Sequence, residues 1–410
     1  MNAGATPEPL RAGRNELPLP SQSPRQRVRV QVLQELHGLA ALRPEWEALL
    51  AKSGGAVFSS WEWLFTWQRR MGAARIPWVM VARTSEGELA GLLPLVWRGE
   101  RALGRKVRIL SFMGDCDVGS DYLDCLALPG HEEAVASAFF RTLVERQPAW
   151  DVLDLKDLRA ESSTLERLLQ SFPRPQYVRI FSGRYTCPFE TLSPAEPFDL
   201  FLRRTGRRDN YLRRLKWLEK QPGFRIEKTE EPAKLPRVMG EFFRLHSLRW
   251  EGDGGSQGIR GAQTEAFHRD AAELLSERGR IRFYTLWVGE KAVASVYGMI
   301  HRNTFIYYQA GYDPAWRSKS VGLVLVGETF KDALLEGLTE YDFLRGTESY
   351  KSDWTTQTRE TVQLRILKAG GPGEWLERAE NWGKIGRDTV KRLLPNQLTE
   401  RIRRLRRRLA

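Results

Sequence analysis

One stretch of the chain combines cationic, hydroxyl and glycine residues in an order that suits phosphate binding. It covers residues 309–323 and joins an extended apolar segment to a segment with helical spacing. Ser320 and Gly322 fall in the expected first turn of that helix, where backbone N–H groups lack helical partners and the helix dipole adds positive charge. Arg317 and Lys319 add full charges. The pattern predicts a cradle for a pyrophosphate group. A plain helix N-terminus with a solvated basic loop is the alternative.

The elements around this stretch occur twice in the same order. Each half of the sequence predicts a strand, two helices, a strand hairpin, a strand, a helix and a strand. In the first half, residues 115–121 stand where the phosphate cradle stands in the second half, and they are acidic. We therefore predict an α/β (α+β) fold of two tandem units, each a mixed sheet flanked by helices, with the cradle in the second unit only.

The predicted boundaries divide the chain into five segments. Residues 1–26 are rich in proline and are predicted to be a disordered leader. The remaining segments are an N-terminal unit, a basic helical linker, a C-terminal unit and a basic helical tail, at residues 27–195, 196–223, 224–370 and 371–410.

Length and cysteine content narrow the class of protein. A chain of 410 residues predicts two domains. Its three cysteines exclude a disulfide framework and a Cys-rich zinc site, so we predict no metal. No apolar run approaches the ~20 residues of a membrane-spanning helix. Residues 1–26 lack the apolar region of a secretory signal. These features favour a cytoplasmic protein.

The formal net charge of +13 is concentrated in two segments. Eight cationic residues against one Glu lie in the last twenty positions, where Leu398, Ile402 and Leu405 follow one helical stripe. We predict that residues 396–410 contact an anionic membrane surface at the inner face of the membrane. The alternatives are a solvated tail and nucleic-acid contact. The second segment, residues 203–220, is predicted to be the solvated face of a linker helix, with phosphate binding as the alternative.

Trp61, Trp63 and Trp67 cluster on one predicted helix. Trp61 and Trp63 cannot share a helix face, so this helix is apolar on more than one side. The spacing favours core packing, and a platform for stacking sugars is the alternative.

The run from Tyr341 to Trp354, YDFLRGTESYKSDW, resembles the signature of CelD/BioF2-like proteins of the GNAT acyltransferase superfamily. These are tandem-GNAT relatives of the FemAB peptidyltransferases, often linked to bacterial exopolysaccharide or cellulose synthesis. Weaker matches lie at residues 58–63, 208–214 and 243–250, and the resemblance covers residues 28–370. GNAT phosphate loops usually carry more glycines than residues 317–322 do. The resemblance implies two GNAT-like domains, of which the first is degenerate.

The resemblance implies acyl transfer from acyl-CoA, such as acetyl-CoA, to an amine. In GNAT folds, backbone N–H groups of a splayed central strand, here near residues 307–311, meet the thioester carbonyl. Such groups act as an oxyanion hole. The amine needs a base, directly or through water.

The resemblance and the local pattern suggest four catalytic residues. Glu348 is the first candidate base, and structural pairing with Arg345 or Lys351 is its alternative role. His246 is the second candidate base; packing against an aromatic ring is its alternative. Tyr350 is a candidate proton donor to the leaving thiolate, as is Tyr312, with packing as the alternative. Asp342 is expected to orient Arg345 or Lys351, or to form a plain ion pair.

Further residues are predicted to bind the two ligands. The predicted cofactor contacts are Gln309, Gly311, Tyr312, Arg317, Ser318, Lys319, Ser320, Val321 and Gly322. The predicted substrate contacts are Arg249, Trp250, Arg345, Lys351 and Trp354. His246, Arg249 and Trp250 share one helix face by their spacing.

The predicted acceptor is a small-molecule or saccharide amine of envelope polysaccharide synthesis. Two alternatives remain open. One is a FemAB-like transferase that uses aminoacyl-tRNA, because the basic segments allow phosphate contacts; otherwise no nucleic-acid partner is expected. The other is a non-catalytic accessory protein that keeps the fold.

Overall fold

The computed structural model describes residues 27–115, 117–146, 149–250, 259 and 261–393, with the backbone alone for residues 384–393. The predicted leader, residues 1–26, and the predicted membrane-contacting segment, residues 396–410, lie outside the described residues. No helix in the described ranges combines the length and the apolar character needed to cross a membrane.

The strands of the described chain form one continuous mixed sheet. They are β1 Val28–Leu33, β2 Ile76–Thr84, β3 Leu89–Ala102, β4 Arg105–Phe112, β5 Leu126–Ala127, β6 Val152–Arg159, β7 Tyr177–Thr191, β8 Arg225–Thr229, β9 Ile281–Val288, β10 Lys291–His301, β11 Thr304–Tyr312, β12 Glu340–Asp342 and β13 Thr358–Lys368. Their order across the sheet is β1-β2-β3-β4-β6-β13-β7-β12-β11-β10-β9-β8, and β5 pairs with β3.

The two halves of the sheet repeat one topology. From its outer edge inward, the first half runs β1-β2-β3-β4-β6 and the second runs β8-β9-β10-β11-β12. Each series ends in a parallel pair, β4 with β6 and β11 with β12, whereas the other pairs are antiparallel. The predicted fold of two tandem α/β units is therefore confirmed.

The halves meet by exchanging their last strands. β13, late in the sequence, pairs with β6 of the first half as well as with β7. β7 also pairs at its end with β12 of the second half. Because each half completes the sheet of the other, side chains from both halves come together at the centre of the sheet. The predicted domain boundaries stay a prediction.

The helices cover the two faces of this sheet. They are α1 Leu36–Ala41, α2 Arg43–Lys52, α3 Trp61–Met71, α4 Glu132–Glu145, α5 Ser163–Ser171, α6 Phe198–Arg204, α7 Arg208–Leu218, α8 Leu235–Trp250, α9 Gly261–Ser276, α10 Val321–Leu335, α11 Ser349–Ser352 and α12 Gly373–Leu393. The basic stretch predicted as one helical segment is two helices, α6 and α7. Gly206 separates them with a φ of 68°, which is left-handed and breaks the helix.

The tryptophans of α3 belong to the core. Trp63 and Trp67 are fully buried, and the Trp63 indole N–H donates to Ser120 Oγ at 2.8 Å. The Trp61 indole N–H donates to the Leu39 carbonyl oxygen at 2.8 Å. Ser60 caps the helix by accepting the backbone N–H of Trp63. Core packing is therefore confirmed, and the faces of Trp63 and Trp67 are not open to a sugar.

Candidate active site

β11, the strand near which the predicted carbonyl-binding N–H groups lie, loses its pairing with β12 partway along its length. β11 pairs with β12 only from Thr304 to Ile306, so the rest of β11 has no strand partner on that side. On its other side, the pairing with β10 skips Tyr308, which makes a β-bulge. Bulges re-aim side chains and end regular pairing. The unpaired part of β11 therefore borders an open space between β11 and β12.

Two cavities lie on either side of this opening. Cavity 1, of about 310 Å³, is bounded by β10, β11 and the start of α10. Cavity 2, of about 560 Å³, is bounded by β11, by the segment after β12, and by residues of the first half. Both cavities are lined by the same four residues: Arg249, Tyr307, Ala310 and Tyr350. Ligands in the two cavities would meet at this junction.

The start of α10 forms one wall of cavity 1. Ser320 precedes the helix in a left-handed conformation with a φ of 56°, and its side chain makes no capping hydrogen bond. The first backbone N–H groups of α10 are therefore not capped by a side chain. A Cβ added at Gly322 would meet no atom within 4 Å, so the helix surface there is open. This wall has the donors and the space that an anionic group requires.

The structure brings most of the predicted cofactor contacts together. Those lining cavity 1 are Gly311, Tyr312, Arg317, Ser320, Val321 and Gly322. Gln309 lines cavity 2. Ser318 and Lys319 are not among the lining residues of either cavity. The Lys319 ammonium lies 4.7 Å above the Trp217 ring, and the Ser318 carbonyl oxygen accepts a hydrogen bond from Arg214 at 3.3 Å.

Four of the predicted substrate contacts line cavity 2, and Trp354 lines cavity 1 instead. The four are Arg249, Trp250, Arg345 and Lys351. The buried indole Nε1 of Trp250 has no hydrogen-bond partner among the described residues. A buried donor without a partner is costly. A ligand in cavity 2 that accepted a hydrogen bond from this N–H would remove that cost.

Glu348 lies in cavity 2, next to Lys351. The Glu348 carboxylate is 3.0 Å from Lys351 Nζ, and this ammonium also donates to the Arg345 carbonyl oxygen at 3.0 Å. The Glu348 side chain is 41% exposed, whereas that of Lys351 is 4% exposed. Pairing with Lys351, the structural alternative, is present. It still leaves the carboxylate on the cavity wall, where a base is needed.

Two carboxylates of the first half reach the same cavity. Arg345 donates from Nη1 to Asp157 Oδ1 at 2.6 Å and from its backbone N–H to Asp121 Oδ2 at 3.0 Å. Both carboxylates are buried and line cavity 2. Asp121 Oδ1 accepts no hydrogen bond from a described residue. Lys156 completes the group; it lies on the cavity wall and pairs with Asp115 at 3.4 Å.

Arg345 therefore contacts two buried carboxylates. Burial raises the pKa of Asp121, and the Arg345 charge works against that shift. Burial, with the neighbouring Asp121 charge, raises the pKa of Asp157 to about 7. A left-handed φ of 56° at Asp157 adds backbone strain. Asp121 and Asp157 are not among the site residues that the sequence predicts. The one signal for Asp121 is the acidic run at residues 115–121, which stands where the phosphate cradle stands in the second half.

His246 and Asp342 lie outside the residues that line the two cavities. Burial lowers the pKa of His246 to about 4, so the ring is neutral near pH 7. It packs against Phe242 with ring centroids 5.6 Å apart, which is the alternative role. Asp342 contacts neither Arg345 nor Lys351. It accepts hydrogen bonds from Tyr122 at 3.1 Å and from the backbone of Leu344 at 2.7 Å.

Asp342 shapes the cavity from outside. Leu344 has a φ of 57°, which a branched residue rarely adopts, and its backbone N–H is held by Asp342 Oδ1. This turn sends the chain after β12 across the mouth of cavity 2. Burial raises the pKa of Asp342 to about 6 despite the nearby Arg359. Asp342 does not orient Arg345 or Lys351: its Oδ1 accepts the hydrogen bonds from Tyr122 and Leu344, and its Oδ2 lies 3.9 Å from Arg359 Nη1, an ion pair of the kind given as the alternative.

Two tyrosine hydroxyls stand at the junction of the cavities. Burial raises the pKa of Tyr307 and of Tyr350 above the ordinary value of 10.0. Both therefore remain neutral hydroxyls at physiological pH and can donate hydrogen bonds. Tyr350, the predicted proton donor, therefore lines both cavities as a neutral hydroxyl.

A match to a known protein family covers part of the chain. Residues 205–352 match the family described as Acetyltransferase (GNAT) domain. This range contains the splayed strand β11, the start of α10 and Glu348, but not Asp121 or Asp157. The predicted resemblance to GNAT acyltransferases is therefore confirmed for residues 205–352.

Solved structures with the same fold cover both halves. The crystal structure of FemX aligns with a TM-score of 0.54 and 12% identity, over 78% of this chain and 95% of that chain. A conserved protein of unknown function from Bacteroides thetaiotaomicron VPI-5482 aligns with a TM-score of 0.52 and 14% identity, over 83% and 100%. At these identities the likeness concerns the fold. No curated sequence matches this chain.

Within the ranges that the structure describes, no group of three or more His, Cys, Asp or Glu residues is arranged to hold a metal ion.

Proposed function

We propose that this protein is an N-acyltransferase that moves an acyl group from acyl-CoA to an amine acceptor. One observation carries the proposal: two cavities of different character meet at the opened edge of β11 and share Arg249, Tyr307, Ala310 and Tyr350. A transferase without a covalent intermediate needs this arrangement, because donor and acceptor must be held together at the reacting carbon.

Cavity 1 suits the donor. The uncapped N-terminus of α10 and the Arg317 guanidinium face an anionic group such as a pyrophosphate. Beyond them the wall is apolar, with Ala294, Val296 and Leu325. Such a wall suits an uncharged arm that ends in a thioester. Acetyl-CoA is the first donor to test.

Cavity 2 suits an acceptor that carries an amine. Its wall combines the partly exposed carboxylate of Glu348 with the buried Asp121, whose Oδ1 has no hydrogen-bond partner among described residues. A protonated amine would pair with these carboxylates. Once bound, it must lose a proton before it can attack, and either carboxylate can take that proton. The resemblance to CelD/BioF2-like proteins supports an amino sugar of envelope polysaccharide as the acceptor.

The chemistry at the junction is direct acyl transfer. The amine nitrogen attacks the carbonyl carbon and gives one proton to a carboxylate as the C–N bond forms. The C–S bond then breaks, and the sulfur leaves with the bonding pair and takes up one proton. Tyr350 is placed to donate a hydrogen bond to the departing sulfur. The products are an amide and free CoA.

A second donor, aminoacyl-tRNA, is favoured by one surface feature. Trp316 directly precedes Arg317, which lines cavity 1, and its ring centroid lies 6.5 Å from that of Trp217, whose ring Lys319 covers. Arg214 binds the same loop through the Ser318 carbonyl oxygen. Cations interleaved with aromatic rings are typical of surfaces that bind nucleic acid. With aminoacyl-tRNA as the donor, the amine would attack the carbonyl carbon of the aminoacyl ester instead of that of a thioester.

We further propose that the reaction takes place in the cytoplasm, with residues 396–410 at the inner face of the membrane. The support is the sequence pattern of basic residues around an apolar stripe.

A transfer assay tests the proposal. The full chain is incubated with acetyl-CoA and a panel of amines that includes glucosamine, and the products are read by mass spectrometry. We expect an acetylated amine and free CoA, and we expect Glu348→Gln and Asp121→Asn each to slow the reaction. Transfer from aminoacyl-tRNA but from no acyl-CoA would select the second donor. Binding of neither donor would favour an accessory protein.

A further inference from the structure

We propose that Arg249 binds and polarises the carbonyl oxygen of the transferred acyl group. The inference rests on the proposed function and names a catalytic group within it. Transfer requires the carbonyl carbon to lie where the two cavities meet, and four residues line both. Arg249 is the charged one among them.

The guanidinium of Arg249 is surrounded by groups that do not neutralise it. Its Nη1 donates to the Ala310 carbonyl oxygen at 3.1 Å. Its central carbon lies 5.1, 5.7 and 5.8 Å from the ring centroids of Trp250, Tyr312 and Tyr350. No carboxylate of the described residues lies within ion-pairing distance of it. A guanidinium has five N–H donors, so donors remain for a further partner.

An enclosed cation without a carboxylate is costly unless a ligand brings negative charge. Acyl transfer brings such charge at this place. When the amine nitrogen attacks, the carbonyl oxygen takes the electron pair of the C=O double bond. It returns that pair when the C–S bond breaks. A positive group already in place stabilises this oxygen without having to reorganise.

The position of Arg249 is fixed by the packing of α8 on β11. A Cβ on Gly311 would lie 2.3 Å from the backbone nitrogen of His246, so only glycine permits this approach. The close contact of helix and strand brings Arg249, three residues after His246, to the Ala310 carbonyl oxygen.

The test observes the carbonyl itself and needs no acceptor. Acetyl-CoA labelled with ¹³C at the carbonyl is bound to the full chain, and isotope-edited infrared difference spectra record the C=O stretch. The same spectra are taken for Arg249→Met and Arg249→Lys, with folding checked by circular dichroism. Calorimetry gives the Kd of acetyl-CoA for each form.

We expect the bound carbonyl to absorb at lower frequency than free acetyl-CoA in the wild type. The shift should be lost in Arg249→Met and partly kept in Arg249→Lys, with Kd changed less than about threefold. An unchanged shift in Arg249→Met would overturn the inference and leave the transferase proposal standing. Loss of succinyl-CoA binding in Arg249→Met, with no change in the acetyl-CoA spectrum of that variant, would also overturn the inference. Arg249 would then bind a carboxylate of the ligand and not the carbonyl oxygen. No acetyl-CoA binding by the wild type would instead overturn the choice of donor, and this inference with it.

Discussion

Arg345 Nη1 lies 2.6 Å from Asp157 Oδ1, and this ion pair joins residues 188 positions apart in the chain. Asp157 belongs to β6 of the first half, and Arg345 follows β12 of the second. The pair lies in the wall of cavity 2. The first half therefore contributes charge to the candidate site, although the sequence predicts a phosphate cradle in the second half only.

Removing Arg345 should destabilise the protein. Arg345→Met removes the cation that pairs with Asp157 at 2.6 Å and lies 3.8 Å from Asp121, and both carboxylates stay buried. Losing one partner of a buried pair costs about 3–5 kcal/mol; because the Arg345 side chain is 34% exposed, we expect a smaller loss, about 2–3 kcal/mol. Urea unfolding measures it. The control is Arg184→Met, which breaks an exposed pair with Glu360 and should cost less than about 0.5 kcal/mol. Equal losses in the two variants would contradict this account of the cavity.

Asp157 should make stability depend on pH. Its pKa is raised from 3.8 to about 7 in the folded protein, so the folded state binds this proton more tightly than the unfolded chain. Its contribution to the free energy of unfolding is therefore fully present below pH 3.8 and is lost as pH rises through about 7. Asp157→Asn cannot titrate and lacks this loss. Relative to the wild type, the variant should gain roughly 1–3 kcal/mol between pH 5 and pH 7.

Urea unfolding of both forms at pH 5, 6, 7 and 8 measures this dependence. Above pH 7 the difference between the two proteins should level off. A difference that stays constant from pH 5 to pH 8 would show that Asp157 keeps an ordinary pKa.

Gly322 should matter for the donor and not for the fold. A Cβ at Gly322 or at Gly240 would meet no atom within 4 Å, and both glycines are helical. Alanine at either position should be neutral or stabilise by about 0.5–1 kcal/mol. Of these two glycines, Gly322 lines cavity 1 and Gly240 does not. Gly322→Ala should therefore weaken acetyl-CoA binding at least threefold, whereas Gly240→Ala should leave it unchanged. Calorimetry that finds equal affinities for both variants would remove α10 from the donor site.

The two cations of the predicted cradle should differ in effect. Arg317 lines cavity 1, whereas Lys319 is engaged with the Trp217 ring. Arg317→Glu should weaken acetyl-CoA binding about tenfold or more, since a repulsive charge replaces an attractive one near the phosphates. Lys319→Glu should have a smaller effect on acetyl-CoA. The reverse order, measured by calorimetry at low and high salt, would mean that phosphate binds outside cavity 1.

The C-terminal segment should bind anionic membranes. Deletion of residues 396–410 removes most of the terminal basic cluster, and we expect loss of sedimentation with phosphatidylglycerol vesicles and an unchanged circular dichroism spectrum. A double variant, Ile402→Asn with Leu405→Asn, keeps the charge and breaks the apolar stripe. It should bind less than the wild type. Full vesicle binding by the deleted protein would contradict the membrane proposal.

Local patterns predicted the parts of the site that one segment builds. The strand-to-helix run at 309–323 forms most of one wall of cavity 1, because an uncapped helix start follows from a few neighbouring residues. Glu348 and Tyr350 could be singled out because they lie in the short run after β12.

Contacts between distant residues could not be read in the same way. Asp121 meets Arg345 across 224 positions, and nothing near it in sequence marks a partner. His246 shares a helix face with Arg249, yet the direct packing of α8 on Gly311 buries the histidine and leaves the arginine at the junction. That packing depends on an absent Cβ in another element. Helical spacing alone therefore cannot tell which of His246 and Arg249 lies at the junction of the two cavities.

Calorimetric titration of the full chain with acetyl-CoA tests the central claim most directly. We predict saturable binding at a single site that Gly322→Ala weakens and Gly240→Ala does not. No binding of acetyl-CoA or of longer acyl-CoAs to the wild type, together with binding of charged tRNA, would contradict the claim that cavity 1 holds an acyl-CoA donor.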